Sequence, residues 1–124
     1  MKTLIVYDSM YGNTEQIARA IGGAVGNDAR VLRAGEANPA EIKTIELLVV
    51  GSPTQGGRPT LAIRDFLNKI PKASLKDIKV AAFDTRVSTK FVGVFGYAAG
   101  RIASDLKARG ANLIAPPEGF FVQG

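Results

Sequence analysis

The chain has 124 residues, 46% hydrophobic and 22% charged, the composition of a folded domain rather than a disordered tail. It has no cysteine and no histidine. That excludes a disulfide framework, thiolate zinc sites, cysteine nucleophiles, Ser-His-Asp hydrolysis and histidine-ligated haem, so chemistry near neutral pH would have to come from a bound cofactor.

Sixteen Lys+Arg against eleven Asp+Glu give a formal net charge of +5, which favours acidic partners. The basic residues are scattered, among them Lys2, Arg19, Arg30, Arg33, Arg58, Arg64, Lys72, Lys76 and Lys79. There is no run of five like charges and no interleaving of aromatics, so no nucleic-acid-binding face is expected.

Leu4-Ile5-Val6-Tyr7 is a continuous apolar run, the pattern of a strand buried on both faces. Four residues are too few for the core of a signal peptide or for a membrane span, and no other apolar stretch approaches that length. A cytoplasmic protein is expected. Thr14 to Val25 has helical spacing, with Ile17, Ile21 and Val25 on one face and Gly22, Gly23 and Gly26 weakening its second half. Ala29 to Ala34 places Val31 and Leu32 among arginines, as an edge strand would. A short helix is expected after Pro39, and Leu47-Leu48-Val49-Val50 is a second buried strand.

Leu61 to Ile70 is helical, with Ile63, Phe66, Leu67 and Ile70 on one face and Pro71 as its stop. Ile78 to Phe83 is a third buried strand. Phe95, Ala99, Ile102 and Leu106 mark a further helix that Gly110 closes, and Leu113-Ile114-Ala115 opens a fifth strand. This alternation predicts an α/β fold over residues 1–124 as one domain, a doubly wound five-stranded parallel sheet. Ligands of such sheets sit beyond the carboxyl ends of the strands. The loops there are Asp8–Asn13, Gly51–Thr60 and Asp84–Gly93.

In the first loop, Asp8-Ser9-Met10-Tyr11-Gly12-Asn13-Thr14, small hydroxyls, an amide and a glycine precede a helix. Free backbone N–H groups, the helix dipole and the Ser9 and Thr14 hydroxyls suit a phosphate. Asn13 or Thr14 as a simple helix cap is the plainer alternative. The second loop, Gly51-Ser52-Pro53-Thr54-Gln55-Gly56-Gly57-Arg58-Pro59-Thr60, carries adjacent glycines between prolines, which fits positive φ or close ligand approach, or else a long turn capped by Thr60.

Ile5-Val6-Tyr7-Asp8-Ser9-Met10-Tyr11-Gly12-Asn13-Thr14, followed by Ala18, resembles the flavodoxin signature: two apolar residues, an aromatic, S-x-x-G-x-T and an alanine four residues on. The resemblance covers nearly the whole chain and implies strand order 2-1-3-4-5. It also implies an FMN phosphate site at Ser9, Met10, Tyr11, Gly12, Asn13 and Thr14. Pro53, Thr54, Gln55, Gly56 and Gly57 would then flank the flavin ring, with Gly56 at a peptide able to flip beside the ring. Asp84, Thr85 and Arg86 would border the pyrimidine edge. Arg86 as a cation near that edge and Arg86 as a plain surface residue stay open, as does Asp84 as a turn cap.

Other α/β classes fail on their residues. The third strand in the chain ends Val50-Gly51-Ser52, without a receiver-domain aspartate, and no cysteine is available for a low-molecular-weight phosphatase. Gly12-Asn13-Thr14 lacks the P-loop lysine, and Ser9 to Thr14 is not G-x-G-x-x-G. The resemblance implies a carrier passing electrons to redox partner proteins, with an FMN-dependent NAD(P)H:quinone-type oxidoreductase as the alternative. Three departures stand out. The second loop has no aromatic to stack on the ring, and the third offers Phe91. The chain is basic where such carriers are often acidic, so an acidic partner surface is expected. After Gly124 the family continues into a last helix; an incomplete chain is the expectation, with a partner or a second copy in a homodimer as the alternative cover for that sheet face.

Overall fold

The computed structural model describes residues 1–55, 57–71, 74–87 and 97–122. Three strands buried on both faces form the centre of a parallel sheet: β1 (Thr3–Tyr7), β3 (Leu47–Pro53) and β4 (Lys79–Val87). β2 (Ala29–Arg33) lies on the outer side of β1, and the strand order is β2-β1-β3-β4-β5, as the resemblance implied. The ladders run Tyr7↔Gly51↔Phe83, so the first, second and third loops leave the sheet at neighbouring points of its carboxyl edge.

The fifth strand differs from the sequence reading. It is split into β5 (Asn112–Leu113), which pairs with Lys79–Val80, and β6 (Glu118–Val122), which rejoins the same edge of β4 at Phe83–Val87. From Val80 to Phe83 β4 advances three residues while its neighbour advances five, from Leu113 to Glu118. The surplus is looped out at Ile114–Pro117, where Pro116 and Pro117 have no N–H to give a ladder.

Strand periodicity sorts the side chains onto two faces. Leu4, Val6, Leu48, Val50, Val80 and Ala82 meet Ile63, Phe66 and Leu67 of α2 (Leu61–Asn68) and Ile102, Ala103 and Leu106 of α3 (Ala98–Ala108). Each fully buried Leu or Ile here contributes roughly 1.5–3 kcal/mol of transfer free energy, so this larger core anchors the fold. Ile5, Tyr7, Val49 and Phe83 form a smaller cluster with Ala18 of α1 (Asn13–Val25), and Ile17, Ile21 and Phe120 pack on it half-buried. Val25, expected on the buried side of α1, is exposed. The helix expected after Pro39 is a 3-10 turn over Pro39–Thr44. Phe95 lies outside the described residues, and α3 begins at Ala98.

Among the described residues α1 is the one helix on the smaller face. There the Phe83 ring folds across the backbone of Gly51 and meets Phe120 edge-on at 6.1 Å. A Cβ on Gly51 would stand 2.0 Å from the ring, so the glycine is required by a neighbour 32 positions away rather than by its own backbone angle. Gly51→Ala is therefore expected to destabilise the fold by about 1–3 kcal/mol, the usual cost of overpacking. Gly23→Ala, in α1 with nothing within 4 Å of its added methyl, should stabilise it by about 0.5–1 kcal/mol. Denaturant midpoints measure both, and an unchanged midpoint for Gly51→Ala would contradict the packing described.

Candidate functional site

The first loop leaves β1 with the Asp8 N–H on the Gly51 carbonyl (3.1 Å) and enters α1 through Gly12, whose φ of +87° suits glycine. Gly12 is the N-cap, and no side chain caps α1. The small polar residues are engaged elsewhere. Ser9 Oγ accepts the Gly12 N–H at 3.0 Å, and the buried Thr14 hydroxyl lies 2.8 Å from the buried Thr85 hydroxyl on β4. One hydrogen suffices for that Thr–Thr contact, so the pair keeps a second hydrogen to donate. The simple-cap alternative for Asn13 or Thr14 is thus not what the structure shows.

Beneath the loop, Arg33 of β2 holds its outer side. Its NH1 donates to Asp8 Oδ1 (3.2 Å) and to the Ser9 carbonyl (3.0 Å), and its guanidinium carbon lies 5.4 Å from the centroid of the Tyr7 ring. NH2 is 3.8 Å from Glu15 Oε1.

The second loop is tied to the third strand end and to α3. Thr54 N–H donates to the Thr85 carbonyl (2.9 Å), and Thr54 Oγ1 accepts the Ala98 N–H (3.1 Å). Gln55 and Arg58 bond to each other's backbone in both directions, and Gln55 Nε2 meets Met10 Sδ across the mouth of the site. Gly57, at φ +81°, is buried with its carbonyl on Arg101 Nε (2.7 Å). Thr60 occupies the N-cap of α2 without a side-chain cap bond; its N–H goes instead to Ser52 Oγ (2.9 Å).

At the end of β4 the carboxylate of Asp84 is wholly buried. It accepts from Arg86 Nε and NH2, both at 2.8 Å, and from the Ala99 N–H of α3 at 2.8 Å. Arg86 lies with its guanidinium carbon 3.4 Å from the centroid of Tyr97 and 5.7 Å from that of Phe121. Across from it, Gly119 of β6 has no room for a Cβ, which would stand 2.1 Å from the guanidinium carbon. The hydrogen bond to Asp84 raises the Arg86 pKa above the ordinary guanidinium value, outweighing the opposite effect of burial, so Arg86 is a permanent cation.

These loops enclose a cleft of about 220 Å³ lined by Ser9, Met10, Tyr11, Asn13, Thr14, Pro53, Thr54, Gln55, Thr85 and Arg86. Gly12, Gly57 and Asp84 are not among the lining residues; their bonds go to Ser9, to Arg101 and to Arg86 and Ala99. Gly56 and Phe91 lie outside the described residues. Met10 and Tyr11 are 57% and 83% exposed at the mouth, leaving apolar surface for a ligand to cover. Arg86 is the one charged residue of the lining, and no carboxylate is among those residues. An open helix N-terminus, spare hydroxyl hydrogens and a fixed cation in one apolar-walled cleft fit a flat ligand bearing an anionic phosphate. The sequence reading missed Tyr97, Arg33 and Arg101 as supports; a tyrosine just ahead of a helix was the one local signal.

The Asp84–Arg86 pair yields a test. Arg86→Leu leaves a buried carboxylate with a single donor and is expected to cost about 3–5 kcal/mol of stability. Adding Asp84→Asn, which removes the orphaned charge and keeps an acceptor for Ala99, should recover most of the loss in denaturant titrations. Equal losses in the single and double variants would show that the ion pair is not the source.

A family model described as Flavodoxin matches residues 5–120. No curated protein sequence matches the chain. Among solved structures, a flavodoxin from the domain Archaea is 25% identical, with a TM-score of 0.83 over 99% of this chain and 85% of that one. Flavodoxin 1 from Bacillus cereus is 21% identical, with a TM-score of 0.85 over 100% of this chain and 86% of its own. The rubredoxin oxygen:oxidoreductase of Desulfovibrio gigas is 20% identical, with a TM-score of 0.79 over 98% of this chain and 31% of that larger chain. With the family model spanning all but the ends and the expected strand order realised, the chain belongs to the flavodoxin family of FMN-binding electron-transfer proteins.

Proposed function

We propose that the protein is a cytoplasmic electron carrier that holds FMN in the cleft of the three loops and exchanges electrons with acidic redox partner proteins. The observation that carries this reading is the open N-terminus of α1, flanked by Ser9 and Thr14 and free of any capping side chain. Backbone N–H groups of the first loop and the first turn of α1 would hold the phosphate, with the Ser9 and Thr14 hydroxyls donating to it. Thr54, Gln55, Thr85 and Arg86 would border the ring, and Met10 and Tyr11 would exclude water from its face. Bound FMN supplies the redox chemistry; this chain positions it and sets the field around it.

A carrier needs no proton donor for a substrate, and the cleft supports that reading. Asp84 is the carboxylate of the third loop, and it is buried behind three donors, two from Arg86 and one from the Ala99 N–H. A quinone-type reductase would require a general acid reaching the substrate; no carboxylic acid lines the cleft among the described residues, and the phenol of Tyr11 stands exposed at its mouth.

Titration of the protein with FMN, followed by quenching of flavin fluorescence, should saturate at one flavin per chain. Riboflavin, which lacks the phosphate, should bind far more weakly. Thr14→Val removes a hydroxyl donor to a charged group and is expected to weaken FMN binding about ten-fold, or about 1.4 kcal/mol. Riboflavin and FMN binding alike would remove the phosphate loop from the reading. Steady oxidation of NAD(P)H by a quinone with the protein alone would favour the reductase instead.

A further inference from the structure

Arginines that are scattered in the sequence converge in the fold. A groove of about 320 Å³ runs between α2 and α3 from the end of the second loop, lined by Arg58, Arg64, Asn68, Arg101 and Asp105. At its lower end Arg109 Nε holds Asp105 Oδ1 (2.5 Å), and its NH2 reaches Asn68 Oδ1 (3.4 Å). Four arginines thus stand around one carboxylate, and that carboxylate is already taken. Arg58 and Arg64 make no ion pair among the described residues. Of the other acids, Asp8 is bound to Arg33, Glu15 to Arg19 and Asp84 to Arg86, while Asp65, next to Arg64 in α2, lines a separate pocket with Phe66 and Lys69.

The groove and the cleft share no lining residue, but the second loop ties them together. Gln55, which lines the cleft, is bonded to the backbone of Arg58, which lines the groove. Guanidinium groups bind carboxylates in a two-pronged fashion, and several of them in a shallow open groove suit several carboxylates on one surface. A nucleotide is disfavoured as the occupant because no aromatic side chain lines the groove among the described residues, where Pro59 and Leu67 are its apolar members and offer a base no ring to stack on.

We propose that this arginine groove is the docking surface for the acidic face of an electron-transfer partner, placing the partner's redox centre beside the mouth of the FMN cleft. The proposal rests on the FMN reading above. The positive field would steer an acidic partner and fade with added salt, since such steering raises association rates by about 10–10³-fold and is screened within roughly 10 Å at 0.1 M.

The test uses the FMN-loaded full chain, with loading confirmed beforehand by fluorescence titration, so that a failure to hold FMN shows itself separately from a failure to dock. A reduced acidic [2Fe–2S] ferredoxin gives one electron per cluster to the protein in stopped flow; ferric cytochrome c, a basic protein, takes one electron per haem from the reduced protein. Arg58→Glu/Arg64→Glu is expected to slow the ferredoxin reaction at least ten-fold at low ionic strength, flatten its salt dependence and speed the cytochrome reaction. Arg58→Lys/Arg64→Lys should retain most of the wild-type ferredoxin rate, because steering depends on charge. Lys76→Glu/Lys79→Glu, at the opposite edge of the sheet, should change either rate less than two-fold. FMN affinity and circular dichroism should be unchanged throughout. A ferredoxin rate that Arg58→Glu/Arg64→Glu leaves unaltered, or that Lys76→Glu/Lys79→Glu lowers as much, would overturn the proposal.

Discussion

The buried carboxylate of Asp84 is the constraint on which the third side of the cleft depends. An ionised group with no exposure to water costs several kcal/mol unless donors replace its hydration. Asp84 takes three of them, two from Arg86 and one from the backbone of α3. Strand geometry supplies the first pair, since residues two apart share a face and a long side chain can reach back. The third fixes where α3 starts relative to the end of β4. Arg86, so held, presents a flat guanidinium that needs flat or vacant neighbours, and it finds Tyr97 on one side and the bare backbone of Gly119 on another. Strand end, helix start and the outer strand β6 are thereby joined at a single charge.

The first loop follows the opposite logic. At α2 as at α1, a loop serine takes only the N–H of the N-cap residue itself, Ser52 that of Thr60 and Ser9 that of Gly12. At α1, no side chain performs the capping role, although Ser9, Asn13 and Thr14 are all types that could. Ser9 is turned inward to Gly12 and Thr14 to Thr85, which ties the loop from within. Helix ends left without partners are costly to bury dry, so an open N-terminus in a walled cleft is a feature that a bound anion completes.

Much of this was legible in the sequence because it is local. Every residue of β1 is buried, and a strand buried on both faces announces itself as an unbroken apolar run. The helix faces follow from spacing, and the three loops follow from the alternation of elements. What could not be read depends on contacts between distant positions. Gly51 looks like a turn glycine until Phe83 is seen lying across it. Tyr97 stands well beyond Arg86 in the chain, and Arg33 reaches the first loop from a different strand. The break in the fifth strand was signalled by Pro116-Pro117, yet the rejoining of β6 to β4 depends on register that no local pattern encodes.

Charge shows the same limit most clearly. A formal net charge of +5 spread along the chain reads as a solvated basic surface, because sequence distance conceals which charges are paired. In the fold, the acids of the amino edge have their own partners: Asp28 with the N-terminus, Glu46 with the Lys2 N–H and Glu41 with Arg30. The acids near the cleft are held by Arg33, Arg19 and Arg86. Between those paired groups, the seam between α2 and α3 gathers arginines from the second loop and from both helices around the single carboxylate of Asp105. At physiological ionic strength charges act over about 8 Å, so a partner feels this seam rather than the molecule's total charge. The seam borders the cleft because the second loop has to serve both, with Gln55 facing the cofactor site and Arg58 facing out. The parallel sheet enforces that sharing, since ligands of such sheets bind beyond the carboxyl ends of the strands, where the second loop begins.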